Sequence, residues 1–379
     1  MKRYQLIPMG IAALMLAACV QNRGRQDVET PLKVSKAEII TSEEVLPYTE
    51  EEVRFQVRDI TLAGTLTLPK YNYPHPAVIL ISGSRADDRN ATVGNFKPFQ
   101  LMADHLARRG VAVLRYDDRG VGESNGKFTL QYTIEEYTED VLSALRLLLS
   151  RGDIQSRSIG LIGHSLGGVI APLVASRSEN VAFIVTLAGY GMLGKEIMAS
   201  AREYLARRAG ETEDEIQDLM QWESRINRVA RSGEGFEELV VEAQARAKAD
   251  FEALTPERRE QYSSFEEYYN STSDAFLLQF VPTPFYKHFL DYDPLPALEK
   301  VSCPVLMLLG EKDTQIRPEQ NEPLMKAALA KAGNNDVIAI TIPKAGHYFV
   351  DYSVSDTEFA PGVLDNIANW ILKRVEIGT

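Results

Sequence analysis

One ten-residue stretch constrains the fold of this 379-residue chain more than any other. Ile159 to Gly168 reads I-G-L-I-G-H-S-L-G-G. Its first half, with Ile159, Leu161 and Ile162, has the character of a short buried strand. It breaks at Gly163-His164-Ser165-Leu166-Gly167 and runs straight into a helical segment from Gly168 to Ser176. So sharp a passage from strand to helix holds the central serine in a strained backbone conformation, and the flanking glycines leave room for it. The Ser165 hydroxyl is then expected at the carboxyl end of the strand. Free N–H groups and the positive end of the helix dipole lie beside it there. The context of strand, turn and helix favours a nucleophile over a solvated serine in a glycine-rich turn.

The remaining patterns build a sheet around that strand. Val53 to Leu68 alternates strongly and reads as a pair of antiparallel edge strands. Ala77 to Ile81 and Val111 to Leu114 are apolar runs suited to buried strands, and Val181 to Leu187, Val305 to Leu309 and Val337 to Ile342 read as three more strands. Phe96 to Arg109, Ile134 to Leu149 and about Gly362 to Val375 carry helical spacing. Strands alternating with helices predict an α/β fold with a mostly parallel, doubly wound sheet. A hydrophobic content of 45% suits one large domain with an insertion, or two domains.

From Tyr190 to Leu290 no strand signal appears and helical periods dominate, with acidic residues outnumbering basic ones. A segment this long exceeds a simple crossover. It is expected to sit above the carboxyl ends of the strands as a lid over Ser165. Its end, Val281 to Leu290, is aromatic and either lines a pocket or packs the lid onto the core. Gly189 to Gly194 fits G-x-G-x-x-G, but no strand follows to complete a dinucleotide unit, and Glu196 stands where a phosphate loop needs Ser or Thr. It reads as a flexible hinge into the lid, and no cofactor is expected.

The amino end reads as an export signal. Lys2 and Arg3 precede an apolar run from Leu6 to Ala18, which is too short to span a bilayer comfortably. Leu16-Ala17-Ala18-Cys19 resembles a bacterial lipoprotein signal. The resemblance implies cleavage before Cys19 and lipidation of that residue, whereas an ordinary cleaved signal would leave Cys19 incidental. The expected organisation is a signal peptide at 1–18, a lipid-anchored tether at 19–50, core at 51–189, lid at 190–290 and core again at 291–379. Beyond Cys19 the chain has only Cys303, so the folded part forms no internal disulfide. A net charge of −12 argues against nucleic acid as a partner.

With the G-x-S-x-G turn, Ser82-Gly83-Ser84, Arg115 to Gly122, Gly310-Glu311-Lys312-Asp313 and Ala345-Gly346-His347, the chain from about Glu51 onward resembles an α/β-hydrolase. It is similar to lid-bearing bacterial esterases and to the serine-aminopeptidase-like branch. The resemblance implies Ser165 as nucleophile, Asp313 as acid and His347 as base, in the family's chain order. The chemistry requires each. A serine hydroxyl needs a base to take its proton, and the imidazolium needs a carboxylate to fix its tautomer. Of the five histidines, His347 follows a late sheet strand. His75 lies in a Pro-rich loop, His105 in a helix and His288 in the lid. His164 adjoins the nucleophile and is expected to point elsewhere. The oxyanion donors are expected to be the backbone N–H groups of Leu166 and Ser84. Asp117, Asp118 and Arg119 are expected to bind loop backbone rather than a metal or phosphate. Three functions follow: ester hydrolysis, amide or peptide hydrolysis by the same machinery, and non-catalytic binding on a hydrolase fold. An anionic group in the pocket, able to hold an α-ammonium, would favour the second. For the two hydrolytic functions the expected substrate is a small ester or a short peptide.

Overall fold

The computed structural model describes residues 46–375, apart from 72 and 128. The expected signal peptide, Cys19 and most of the tether lie outside them. One sheet of eight strands carries the molecule: β1 Tyr48–Val57, β2 Ile60–Pro69, β3 His75–Ile81, β4 Ala112–Tyr116, β5 Ile154–His164, β6 Phe183–Leu187, β7 Val305–Gly310 and β8 Val337–Ile342. Their order is β1-β2-β4-β3-β5-β6-β7-β8. β2 is antiparallel to both neighbours, and every pair from β4 to β8 is parallel. The parallel strands β3, β4, β6 and β7 are buried along their whole length, as continuous apolar runs require when helices cover both faces.

β1 begins at Tyr48, so the last residues assigned to the tether, 48–50, are strand. The apolar alternation starts only at Val53 because Thr49 to Glu52 are exposed. Their carboxylates pair outward instead: Glu50 with Arg115, Glu51 with Arg151 and Glu52 with Arg89.

Five helices flank the sheet: α1 Pro98–Ala107, α2 Ile134–Leu149 and α3 Gly167–Ala175, then α12 Pro318–Lys331 and α13 Val363–Leu372. α2 forms where Thr133 and Glu136 make a capping box. It buries Ile134, Tyr137, Val141, Ala144, Leu145 and Leu148 along one face.

Between β6 and β7 the chain is helical: α4 Gly194–Ala209, α5 Glu213–Ser232, α6 Phe236–Ala253, α7 Pro256–Arg259, α8 Phe265–Asn270, α9 Ser273–Leu278, α10 Pro284–Asp291 and α11 Leu295–Leu298. A buried charged cluster ties three of these together. Arg202 of α4 meets Glu223 of α5 at 2.9 Å and Asp274 of α9 at 3.2 Å. The Trp222 indole N–H donates to the same Asp274 at 2.8 Å.

The entry into this segment is packed, which corrects the reading of Gly189 to Gly194 as a flexible hinge. A methyl on Gly191 would lie 2.9 Å from the Leu324 side chain, and one on Gly194 would lie 2.2 Å from the Phe289 carbonyl oxygen. The Gly191 amide is held by Asn321 at 3.1 Å. These glycines serve close approach, not freedom of rotation.

Candidate active site

β5 delivers Ser165 to the rim of the sheet. The serine has φ +55°, a left-handed conformation that costs an L-residue about 1–2 kcal/mol. Its amide is fixed on Leu187 O of β6 at 2.8 Å. The turn closes so tightly that a methyl on Gly163 would sit 2.0 Å from the Gly167 carbonyl oxygen. One on Gly167 would sit 2.3 Å from Ile81 O, so both flanking glycines are sterically required.

Two other strand ends converge there. Asp313 follows β7 and is buried; its Oδ1 accepts the amides of Gln315 and Ile316, both at 2.9 Å. Its Oδ2 lies 2.8 Å from Nδ1 of His347, which follows β8. The His347 Nε2 lies 3.1 Å from the Ser165 Oγ. A carboxylate only accepts, so Nδ1 carries the proton and Nε2 is left to receive the serine hydroxyl's. The structure thus brings Ser165, His347 and Asp313 into one hydrogen-bonded chain, although they come from three separate strand ends.

His164 does not point elsewhere, contrary to the sequence expectation. It lines the cleft beside Ser165, with its ring 4.9 Å from that of His347. Its Nε2 donates to the His347 carbonyl at 2.9 Å. Desolvation, with His347 alongside, holds the His164 imidazole down to about 3, so it stays neutral. The strand-to-helix turn rotates residue 164 toward the loop after β8. A histidine next to the serine was the only sequence signal for this.

The cleft encloses about 490 Å³, mouth included. Gly83 and Ser84 form one wall; Tyr190, with Ile197 of α4 and Phe289 of α10, forms another. The inserted helices therefore reach the cleft. Their aromatic end does both things the sequence left open: Phe289 lines the cleft, while Phe285 and Tyr286 are fully buried in packing. Leu166 N–H stands at the start of α3, among the amides that no helical carbonyl serves. Gly83 lies against Ser165, where a methyl would be 3.5 Å from the serine Cβ. Asp87 also lines the cleft, and Arg85 binds its Oδ1 through Nε at 2.9 Å and Nη2 at 2.6 Å.

The other singled-out residues are structural in placement. Asp117 accepts the amides of Arg89 and Glu123 and the Arg89 guanidinium, which holds its carboxyl below the usual range despite burial. Arg119 grips Asp140 at 2.6 Å through two nitrogens. His75 is the first residue of β3 and buried, His105 lies in α1 and His288 in α10. Among the described residues, no three His, Cys, Asp or Glu side chains are grouped to hold a metal ion. No helix there is long and apolar enough to cross a membrane.

Residues 78–360 match the model of the alpha/beta hydrolase family. Esterase EstD of Thermotoga maritima is 25% identical over 345 residues, covering 88% of this chain and 71% of its own. An uncharacterized 31.7 kDa protein of Escherichia coli is 24% identical over 268 residues, covering 70% of this chain and 82% of its own. Among solved structures, Pyrococcus furiosus esterase PF2001 superposes with a TM-score of 0.54 at 17% identity, over 94% of this chain and 100% of that one. Hypothetical protein PA2218 from Pseudomonas aeruginosa gives 0.52 at 20% identity, over 92% and 100%. These structural likenesses establish the fold.

Proposed function

This chain belongs to the alpha/beta hydrolase family, and from that premise we propose that it is an exported, membrane-tethered serine hydrolase of carboxylic esters. The observation that carries the serine-hydrolase part of this reading is the unbroken path from Ser165 Oγ through His347 to Asp313, at 3.1 and 2.8 Å; export and tethering rest on the amino-terminal pattern that ends at Cys19.

Ser165 attacks the ester carbonyl while His347 Nε2 takes the hydroxyl proton. Asp313 keeps the other ring nitrogen protonated and offsets the imidazolium charge. The carbonyl oxygen becomes an oxyanion, bound by the amides of Leu166 and Ser84, each donor contributing about 3 kcal/mol in the transition state. His347 returns the proton to the departing alcohol. Water, deprotonated by the same base, then releases the acid from the acyl-enzyme. The inserted helices, as a lid, present Ile197 and Phe289 to the substrate's apolar part.

Two observations favour esters over peptide amino ends. The chain is similar to an esterase over most of its length. Among the described residues that line the cleft, the one carboxylate is Asp87, and Arg85 already neutralises it. An α-ammonium finds no uncompensated partner there. The test is a panel of short-acyl esters, long-acyl esters and aminoacyl amides, run with wild type and Ser165→Ala. The expected result is ester turnover in wild type, little on amides, and a loss of at least about a thousandfold in the variant. Amide turnover matching ester turnover would refute the ester assignment.

A further inference from the structure

The residues that follow β3 present the proposed Ser84 donor to the cleft, and they need a fixed shape. Their two ends converge on one side chain. The Ser82 hydroxyl donates to Asp118 Oδ1 at 2.7 Å, and the Asp87 amide donates to Asp118 Oδ2 at 2.9 Å. The Asp118 amide in turn donates to the Asp87 carbonyl at 3.0 Å. Between these anchors lie Gly83 and Ser84, both on the cleft wall.

We propose that Asp118, on the loop after β4, is a positioning residue that sets the oxyanion donor by clamping both ends of residues 82–87. The inference rests on the serine-hydrolase reading above. Asp118 acts through its bonds to the Ser82 hydroxyl and the Asp87 amide, not through a bond to Ser165, His347 or Asp313. Its surroundings suit a neutral acid. It is buried, and burial together with nearby Asp87 and Asp140 pushes its carboxyl well above the ordinary range. A neutral carboxyl has one accepting oxygen and one donating O–H, and Ser82 can both donate and accept. Asparagine offers the same pair of functions in the same shape.

The neighbouring Asp117 and Arg119 do different work. Asp117 closes its own loop onto Arg89 and Glu123, and Arg119 ties that loop to α2 through Asp140. Of the two adjacent carboxylates, Asp118 is the one that accepts from both Ser82 and Asp87 at the ends of the segment carrying Gly83 and Ser84.

The test compares Asp118→Ala, Asp118→Asn and Ser82→Ala with wild type and Ser165→Ala. Each is assayed on a short-acyl p-nitrophenyl ester, with active sites titrated by a fluorophosphonate and Tm measured. A donor displaced by a fraction of an ångström acts on the transition state rather than on ground-state binding. Asp118→Ala should lower kcat per titrated site about tenfold to a hundredfold with KM little changed. Asp118→Asn should stay within about threefold of wild type. Ser82→Ala keeps the carboxyl in place, loses one anchor, and should fall between them. Ser82→Ala serves as the deciding variant if Asp118→Ala does not fold. Wild-type kcat per titrated site in Asp118→Ala or, failing that, in Ser82→Ala would overturn the proposal, as would Asp118→Asn as impaired as Asp118→Ala. Ester turnover surviving in Ser165→Ala would instead refute the serine-hydrolase reading, whatever the Asp118 variants do.

Discussion

In an unfolded chain the His164 imidazole protonates near pH 6.5; in the fold it resists protonation down to about 3. Between those values the unfolded state binds more protons than the folded one. Stability supplied by neutral His164 is therefore complete above about pH 6.5 and falls as pH drops through that window. His164→Gln keeps a donor for the His347 carbonyl but cannot titrate. Denaturant unfolding at pH 7 and pH 4.5 should show wild type losing more stability on acidification than the variant. Parallel losses would mean that the environment of His164 is wrongly described. The same residue shows a limit of reading sequence. A histidine beside Ser165 is visible in the chain, but the direction of its ring depends on the twist of the turn and on the loop after β8. Ser165, Asp313 and His347 are easier to find because each stands directly after an apolar strand. Asp118 is indistinguishable from Asp117 in sequence; only the structure shows that one bonds to residues 82–87 and the other to Arg89.

β5 and β7, the strands before Ser165 and Asp313, are legible because burial of their apolar parts leaves runs of Ile, Val, Leu and Met with glycine near their ends. Val337 to Ile342 is strand over just those residues although it is the partly exposed edge of the sheet, because its β-branched residues suit a half-buried strand. β5 runs further than its apolar part suggests, from Ile154, because Gln155 to Ser158 lie outside the covered centre of the sheet. The helices between β6 and β7 are legible one by one through their spacing and caps, such as Thr212 with Glu215 at the start of α5. Their mutual arrangement is not. Arg202, Glu223 and Asp274 look like solvated charges on polar helix faces, yet Arg202 and Glu223 are buried and meet the half-buried Asp274. Long-range pairing of opposite charges leaves no periodic trace. For the same reason glycines at 191 and 194 imitate a hinge: sequence shows that a side chain is missing, not what occupies its space.

For the molecule as a whole, the catalytic reading and the location are separable. The acidic balance, −12 overall, gives no attraction to an anionic bilayer surface. In the proposed reading membrane attachment comes from lipid on Cys19, where several acyl chains together hold firmly and one would not. Expressed from residue 1 in a bacterial host, wild type should take up labelled fatty acid and sediment with membranes. Cys19→Ala should do neither, while keeping esterase activity. Equal sedimentation of the two would contradict the anchor and leave the enzyme assignment untouched. That assignment stands or falls on whether a single hydroxyl at the rim of the sheet is activated. Treatment with a fluorophosphonate, followed by peptide mass spectrometry, addresses it directly. The account predicts one adduct, on Ser165, abolished by His347→Ala. Unlabelled Ser165 in folded protein, or labelling indifferent to the loss of His347, would contradict it.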